Sequence, residues 1–173
     1  PSWKQKHIYI DFEAAMNVAE VWFNGKKVKT HLGGYLPFSV LLTDFNSDNE
    51  NWLIVKLDNR DNRITGPKPL IELDFNTYGG LYRNVWLRIE NPNHITDAVD
   101  ANKVASGGVF VSYPKVDKQE SIIQIKTHLL TPEKNITLQL QQQLYYNNQL
   151  IASNSTAVKA NQTEQEITQE LRL

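Results

Sequence analysis

Cysteine is absent from the 173 residues, so neither a disulfide framework nor a thiolate metal site is available to the fold. That absence suits a reducing cytosol and a bacterial periplasm about equally, which leaves the compartment open. Long hydrophobic runs are lacking as well, and none approaches the roughly 20 residues a helix needs to cross a bilayer. The opening residues Pro1, Ser2, Trp3 and Lys4 have no signal-peptide character, and without an initiator Met the natural start is expected elsewhere. Nor does one sign of charge dominate. Lys plus Arg number 18 against 19 Asp plus Glu, for a net charge of -1, and no basic stripe is interleaved with aromatics. Nucleic acid is therefore not expected as a partner. His7, His31, His94 and His128 are scattered without metal-ligand spacing, and there is no GxSxG and no phosphate-cradling glycine loop. Metal-dependent hydrolysis, acyl transfer and phosphoryl transfer are left without support.

Hydrophobic residues make up 40% of the chain and charged residues 21%, enough apolar material to bury a core. Alternation of period two organises it. Ile8, Ile10 and Phe12 share one strand face, with His7, Tyr9 and Asp11 on the other. Ala19, Val21 and Phe23 repeat the pattern and run into Asn24-Gly25, the dipeptide best suited to a two-residue hairpin turn. Gly33-Gly34 and Pro37 punctuate a bend before Phe38, Val40 and Leu42, and Leu53, Val55 and Leu57 make a further short strand. From Asp58 to Gly80 the pattern gives way to a Pro- and Gly-bearing segment longer than ordinary connections, and such loops more often carry function. Val85, Leu87 and Ile89 restore the alternation.

A polar break with a proline, Asn91 to His94, then suits a boundary near Pro92, giving domains at 1–92 and 93–173. Beyond it, strands are expected at Val109 to Tyr113, Ile123 to Leu129, Ile136 to Leu140 and Ile167 to Leu173, with a turn at Asn147-Asn148. Residues Leu138 to Tyr146 could form a helix by propensity, but the alternation of Ile136, Leu138 and Leu140 favours a strand. Three sequons, at Asn135, Asn154 and Asn161, are read as incidental in so Asn- and Thr-rich a stretch. The fold class expected is all-β, two β-sandwiches in series.

Two strings carry a family resemblance. VWFNGKKVKTHLGGYLPF, from Val21 to Phe38, and LDFNTYGGLYRNVWL, from Leu73 to Leu87, resemble motifs of family 2 glycoside hydrolases of the β-galactosidase kind. The first has a plain physical reading, with Asn24 and Gly25 in the turn and Tyr35, Pro37 and Phe38 filling a corner. In the second, Asp74 precedes Gly80 by six residues, and Leu81, Tyr82, Arg83 and Asn84 follow. The resemblance implies a truncated galactose-binding-like jelly roll followed by an immunoglobulin-like sandwich, both ends cut. It implies further that Asp74 sits on a loop reaching into the active site of a separate (β/α)₈ barrel, accepts hydrogen bonds from the sugar, and is a possible sodium ligand. Composition alone would read Asp74 as a solvated loop residue capping a turn, whereas a carboxylate can also chelate adjacent sugar hydroxyls. Asn76 and Tyr78 are secondary candidates for the lining, with Phe75 beside them. Arg83 and Gly80 are expected as structural anchors, Arg83 pointing inward, if the strand begins that early, as a buried ion pair or a hydrogen-bonded anchor for the loop.

Retaining glycosidases need two carboxyl groups about 5 to 5.5 Å apart. By the resemblance both are Glu residues of the barrel, and this chain contains no βα alternation that could build one. The expectation is a non-catalytic segment that hydrolyses nothing alone. It would meet its carbohydrate substrate through the missing barrel and need no cofactor of its own, with sodium or magnesium possible in the full-length enzyme. The alternative is a free-standing carbohydrate-binding or adhesive protein. Exposed strand edges make a homo-oligomer possible. Polysaccharide-degrading members of the family are often exported.

Overall fold

A computed structural model describes residues 3–46, 50–65 and 78–173. The chain divides into two compact units, Pro1–Ile89 and Glu90–Leu173. The first contains β1 (His7–Phe12), β2 (Val18–Phe23), β3 (Lys26–Leu32), β4 (Phe38–Leu42), β5 (Leu53–Asp58) and β6 (Val85–Glu90), which runs into the junction. They form two three-stranded sheets in the orders β4-β1-β6 and β3-β2-β5. Alternation decides which faces meet. Ile8, Ile10 and Phe12 of β1 and Phe38, Val40 and Leu42 of β4 pack on Ala19, Val21 and Phe23 of β2, with Val55 and Leu57 of β5 against them. Phe12 and Phe38 stack with centroids 4.6 Å apart. Each such buried side chain contributes about 1.5–3 kcal/mol.

The hairpin between β2 and β3 turns at Asn24 (φ 47) and Gly25 (φ 80), both positive as a type I′ turn requires. Asn24 also ties the turn to the β4–β5 connection. Its Oδ1 accepts the Trp52 N–H at 2.9 Å, and its Nδ2 donates to the Asp44 carbonyl at 3.1 Å.

Residues of both β1 and β6 depart from the alternation. Tyr9, expected on the solvent face, is 3% exposed, because the Arg88 guanidinium lies 4.2 Å from its ring centroid. Leu87 shares phase with the inward residues yet is 50% exposed, because β6 is a sheet edge and Leu87 lies outside the core cluster.

The second unit holds β7 (His94–Ile95), α1 (Ala98–Ala101), β8 (Val109–Val116), β9 (Ser121–Leu130), β10 (Thr137–Tyr146), β11 (Gln149–Lys159) and β12 (Glu164–Arg172). One sheet runs β12-β9-β7 with β8 also paired to β9, and β10 and β11 make the other. The segment at 137–146 is a strand, as its alternation indicates, and it turns into β11 at Asn147 (φ 46) and Asn148 (φ 63). Ile123, Ile125 and Leu171 from the first sheet pack with Leu144 and Ala152 from the second. Gln169 of β12 crosses the same interior, its Nε2 donating to Thr156 Oγ1 at 2.9 Å and to the Leu140 carbonyl at 3.3 Å. His128 is 2% exposed and fully engaged: Lys103 Nζ donates to its Nε2 at 3.0 Å, and its Nδ1 meets Thr96 Oγ1 at 2.8 Å. Among the described residues the fold is therefore all-β, in sandwiches, save for the single turn of α1, which Asp97 caps through the N–H groups of Val99 and Asp100.

Candidate functional site

After β1 the chain crosses between the sheets through residues 13–17, and Ala14, Ala15, Met16 and Asn17 are buried at 3% exposure or less. Buried backbone needs hydrogen-bond partners, and here they come from the two ends of the long segment that sequence reading singled out. The Asn17 N–H donates to the Asp58 carbonyl at 3.1 Å, and the Met16 N–H to the Gly80 carbonyl at 3.0 Å. The Glu13 N–H donates to the Asn84 carbonyl at 3.1 Å. Residues 58, 80 and 84 are thus all held along one short crossing.

Its entry side is ordered by side chains. Asp58 accepts Arg60 Nε at 2.9 Å and the Arg60 N–H at 3.1 Å, and these bonds, the side-chain one foremost, hold its carboxyl well below the usual carboxylate range. Asn62 Oδ1 accepts the N–H groups of Ile64 and Thr65, both at 2.9 Å, folding the chain back on itself in an Asx turn. Thr65, 3% exposed, receives hydrogen bonds on Oγ1 from Asn62 Nδ2 and from Asn17 Nδ2.

On the exit side, Gly80 adopts φ 81, which a side chain would strain. Tyr82 donates its hydroxyl to the Gly34 carbonyl and stacks on Tyr78 at 5.4 Å between centroids. A Cβ on Gly34 would lie 2.3 Å from Met16 Sδ, so Met16 would have to shift to admit one. Nearby, His31 stacks on Phe38 at 4.1 Å; desolvation, then the Lys29 charge, push its pKa down. Glu13 accepts Trp86 Nε1 at 2.8 Å, the leading reason its carboxyl lies below the usual range.

Of the residues expected to carry function, Asp74 and Asn76, with Phe75 between them, lie outside the described residues. Tyr78 is 54% exposed beside Tyr82. Arg83 differs from expectation. The strand begins at Val85, so the phase argument that turned Arg83 inward has no strand to act on, and its guanidinium is exposed, 5.5 Å from the Tyr82 ring centroid. The part-buried arginine is Arg88, whose Nε and Nη2 reach Asp11 at 2.7 and 3.0 Å while Ser39 Oγ donates to the same carboxylate at 2.6 Å. Burial pushes the Asp11 carboxyl up, but these hydrogen bonds and the Arg88 charge outweigh it and leave the group below its usual range. Asn17 gave no signal in the sequence, a lone amide beside apolar residues.

Among the described residues no group of three or more His, Asp or Glu could hold a metal ion. Among the described residues, the carboxyls of Asp11, Glu13, Glu20, Asp58, Asp117, Glu120, Glu164 and Glu166 are displaced downward. A glycosidic general acid must hold its proton near neutrality and needs the opposite displacement.

Residues 1–92, more than half of the chain, match the family model of the glycosyl hydrolases family 2 sugar binding domain. The chain belongs to glycosyl hydrolase family 2. Within the family it is 34% identical over 136 residues to a β-galactosidase of Thermoanaerobacter pseudethanolicus, covering 76% of this chain and 18% of that one. A β-glucuronidase of Bacteroides fragilis is 32% identical over 142 residues, covering 82% and 19%. Among solved structures, a Bacteroides uniformis β-glucuronidase superposes with a TM-score of 0.79 at 30% identity, over 98% of this chain and 20% of that one. The chain therefore spans about a fifth of the length of these relatives. Among the described residues no helix is long and apolar enough to cross a membrane.

Proposed function

We propose that this chain is the non-catalytic front of a β-galactosidase-like family 2 glycosidase, and that its 66–77 segment supplies Asp74 to a sugar site completed by a (β/α)₈ barrel elsewhere in the full-length protein. The observation that carries the reading is the fixing of that segment's stems: Asp58 and Gly80 both accept backbone hydrogen bonds from the adjacent residues Asn17 and Met16. A carboxylate that must meet a substrate held by another domain needs such fixed stems, because positioning within fractions of an ångström governs rate. The downward displacement of carboxyls such as Asp11 and Asp58 suits a non-catalytic role for those groups, leaving acid and nucleophile to the barrel of a retaining mechanism.

On this account Asp74 accepts hydrogen bonds from sugar hydroxyls, with Asn76 and Tyr78 lining the approach. Asp74 would also be this chain's ligand to a sodium ion, the other ligands coming from outside it. No cofactor is assigned to the described residues. The alternative, a free-standing carbohydrate-binding or adhesive pair of sandwiches, has the exposed aromatics in its favour, Trp52 at 64% and Trp86 at 56%. A rate comparison separates the two. The full-length protein is expected to cleave aryl β-galactosides or aryl β-glucuronides while the 173-residue chain cleaves neither. Equal turnover by the isolated chain, or none by the full-length protein, would overturn the proposal.

A further inference from the structure

We infer that His128 and Lys103 form a proton-operated latch on the loop that joins α1 to β8. His128 is on the face of β9 opposite Thr127, whose Oγ1 accepts Gln142 Nε2 from the second sheet, so its side chain points away from β10 and β11. It is nonetheless 2% exposed. The segment from Thr96 to Gly108 lies against it: the Thr96 N–H donates to the His128 carbonyl at 3.0 Å, and the His128 N–H to the Gly108 carbonyl at 2.8 Å. Residues 102–108 lie between α1 and β8, with positive φ at Asn102, Ala105, Gly107 and Gly108. Side chains tie this loop down, Lys103 to His128 Nε2 and Ser106 to Glu166.

These contacts fix the protons of the ring. An ammonium has three donors and no acceptor, so Lys103 Nζ, 3.0 Å from Nε2, requires a bare nitrogen there. The neutral ring therefore carries its proton on Nδ1 and donates it to Thr96 Oγ1 at 2.8 Å. Thr96 Oγ1 also accepts the Gly108 N–H at 2.9 Å, and its own proton is left for the His128 carbonyl at 3.4 Å. A second proton has only Nε2 to occupy. It sets two cations 3.0 Å apart and removes the lone pair that Lys103 uses. Glu164 Oε2, 3.5 Å from Nε2 and 2.8 Å from Lys103 Nζ, is placed to accept the new N–H. Lys103, its side chain 40% exposed, then leaves for solvent, and residues 103–105 lose their tie to β9. The other charges about the ring are Glu166, which pairs with His128 across the β9–β12 ladder, and Lys126, which acts on Glu166. Asp97 and Asp100 are the remaining charged groups of the covering segment, Asp97 occupied with the N–H groups of α1, while His94 of β7 turns its ring to the Asn91 carbonyl at 2.7 Å. The latch is thus closed at higher pH and opens as pH falls.

Heteronuclear NMR of the isotopically labelled chain between pH 8 and pH 5 tests the inference. At pH 8 the His128 ring is expected to carry its proton on Nδ1 alone, with backbone order parameters at residues 103–105 near the rigid value of about 0.85. As pH falls and the ring charges, those order parameters should drop below about 0.6, with the same midpoint as the ring. Lys103→Met, which keeps an apolar stem and removes the charge, should leave residues 103–105 mobile at both ends of the range. Should that variant fail to fold, the ring tautomer and the coincidence of the two midpoints decide the matter in the parent. The inference is overturned by a proton on Nε2 at pH 8, by a ring that stays neutral down to pH 5, by order parameters that do not follow the ring, or by the parent's pH dependence surviving in Lys103→Met.

Discussion

Arg88→Ala in the first unit separates the tyrosine ring and the carboxylate of β1 from the cation they share. The guanidinium makes two charge-assisted hydrogen bonds to Asp11, at 2.7 and 3.0 Å, with side-chain exposures of 19% and 24%. Two unit charges about 4 Å apart, centre to centre, attract by about 4 kcal/mol at an effective dielectric near 20, and partial desolvation offsets much of it. The net pair is worth about 1–3 kcal/mol, and the cation over the Tyr9 ring adds about 0.5–1 kcal/mol. Arg88→Ala should therefore cost about 2–4 kcal/mol in urea unfolding, a large share of the 5–15 kcal/mol typical of a domain. A cycle with Asp11→Asn should show a coupling of about 1–2 kcal/mol at pH 7. The sign of the pH dependence follows from Asp11. Its folded pKa lies below the ordinary 3.8, so its contribution is full above that value and fades as pH falls through the folded one. The coupling should thus shrink in acid. A coupling below about 0.3 kcal/mol at pH 7, or one unchanged at the lowest pH at which the fold persists, would refute the reasoning.

Phe12→Ala should destabilise by about 3–5 kcal/mol in the same assay, since Phe12 is 1% exposed at the centre of the first core. Gly25→Ala should cost about 1–2 kcal/mol through its positive φ alone, as a Cβ there meets nothing within 4 Å. The indole N–H resonance of Trp86 should titrate with Glu13 at a midpoint below 4.5 and lose that pH dependence in Glu13→Gln; a midpoint at or above 4.5 would contradict the bond.

What the sequence revealed was whatever one face of a strand or one pair of turn residues decides alone. Ile8, Ile10 and Phe12 alternate because only one side of β1 meets the opposing sheet, and Asn24-Gly25 and Asn147-Asn148 turn because their own backbones tolerate positive φ. Contacts between distant residues were hidden. Asp11 and Arg88 are 77 residues apart, and nothing in either strand announces that β1 and β6 pair, whereas strand phase alone points to Arg83 as the inward cation. The β11 strand was not marked out because most of its Ser-, Thr- and Asn-rich residues are exposed, and four-residue α1 is too short for a helical period to register. The candidate site was legible only through its motif. Asp74 follows from the resemblance of Leu73 to Leu87, whereas the clamp by Met16 and Asn17 depends on backbone groups that no motif displays.

The claim that most needs testing is that Asp74 serves a sugar held by another part of the enzyme. Kinetics of full-length Asp74→Asn on an aryl β-galactoside and an aryl β-glucuronide measure it directly, with thermal unfolding as the control for folding. A carboxylate accepting charge-assisted hydrogen bonds from the substrate contributes about 1.5–3 kcal/mol, so kcat/KM should fall about 10- to 150-fold with unfolding unchanged. Parental kcat/KM in a folded Asp74→Asn enzyme would contradict the account.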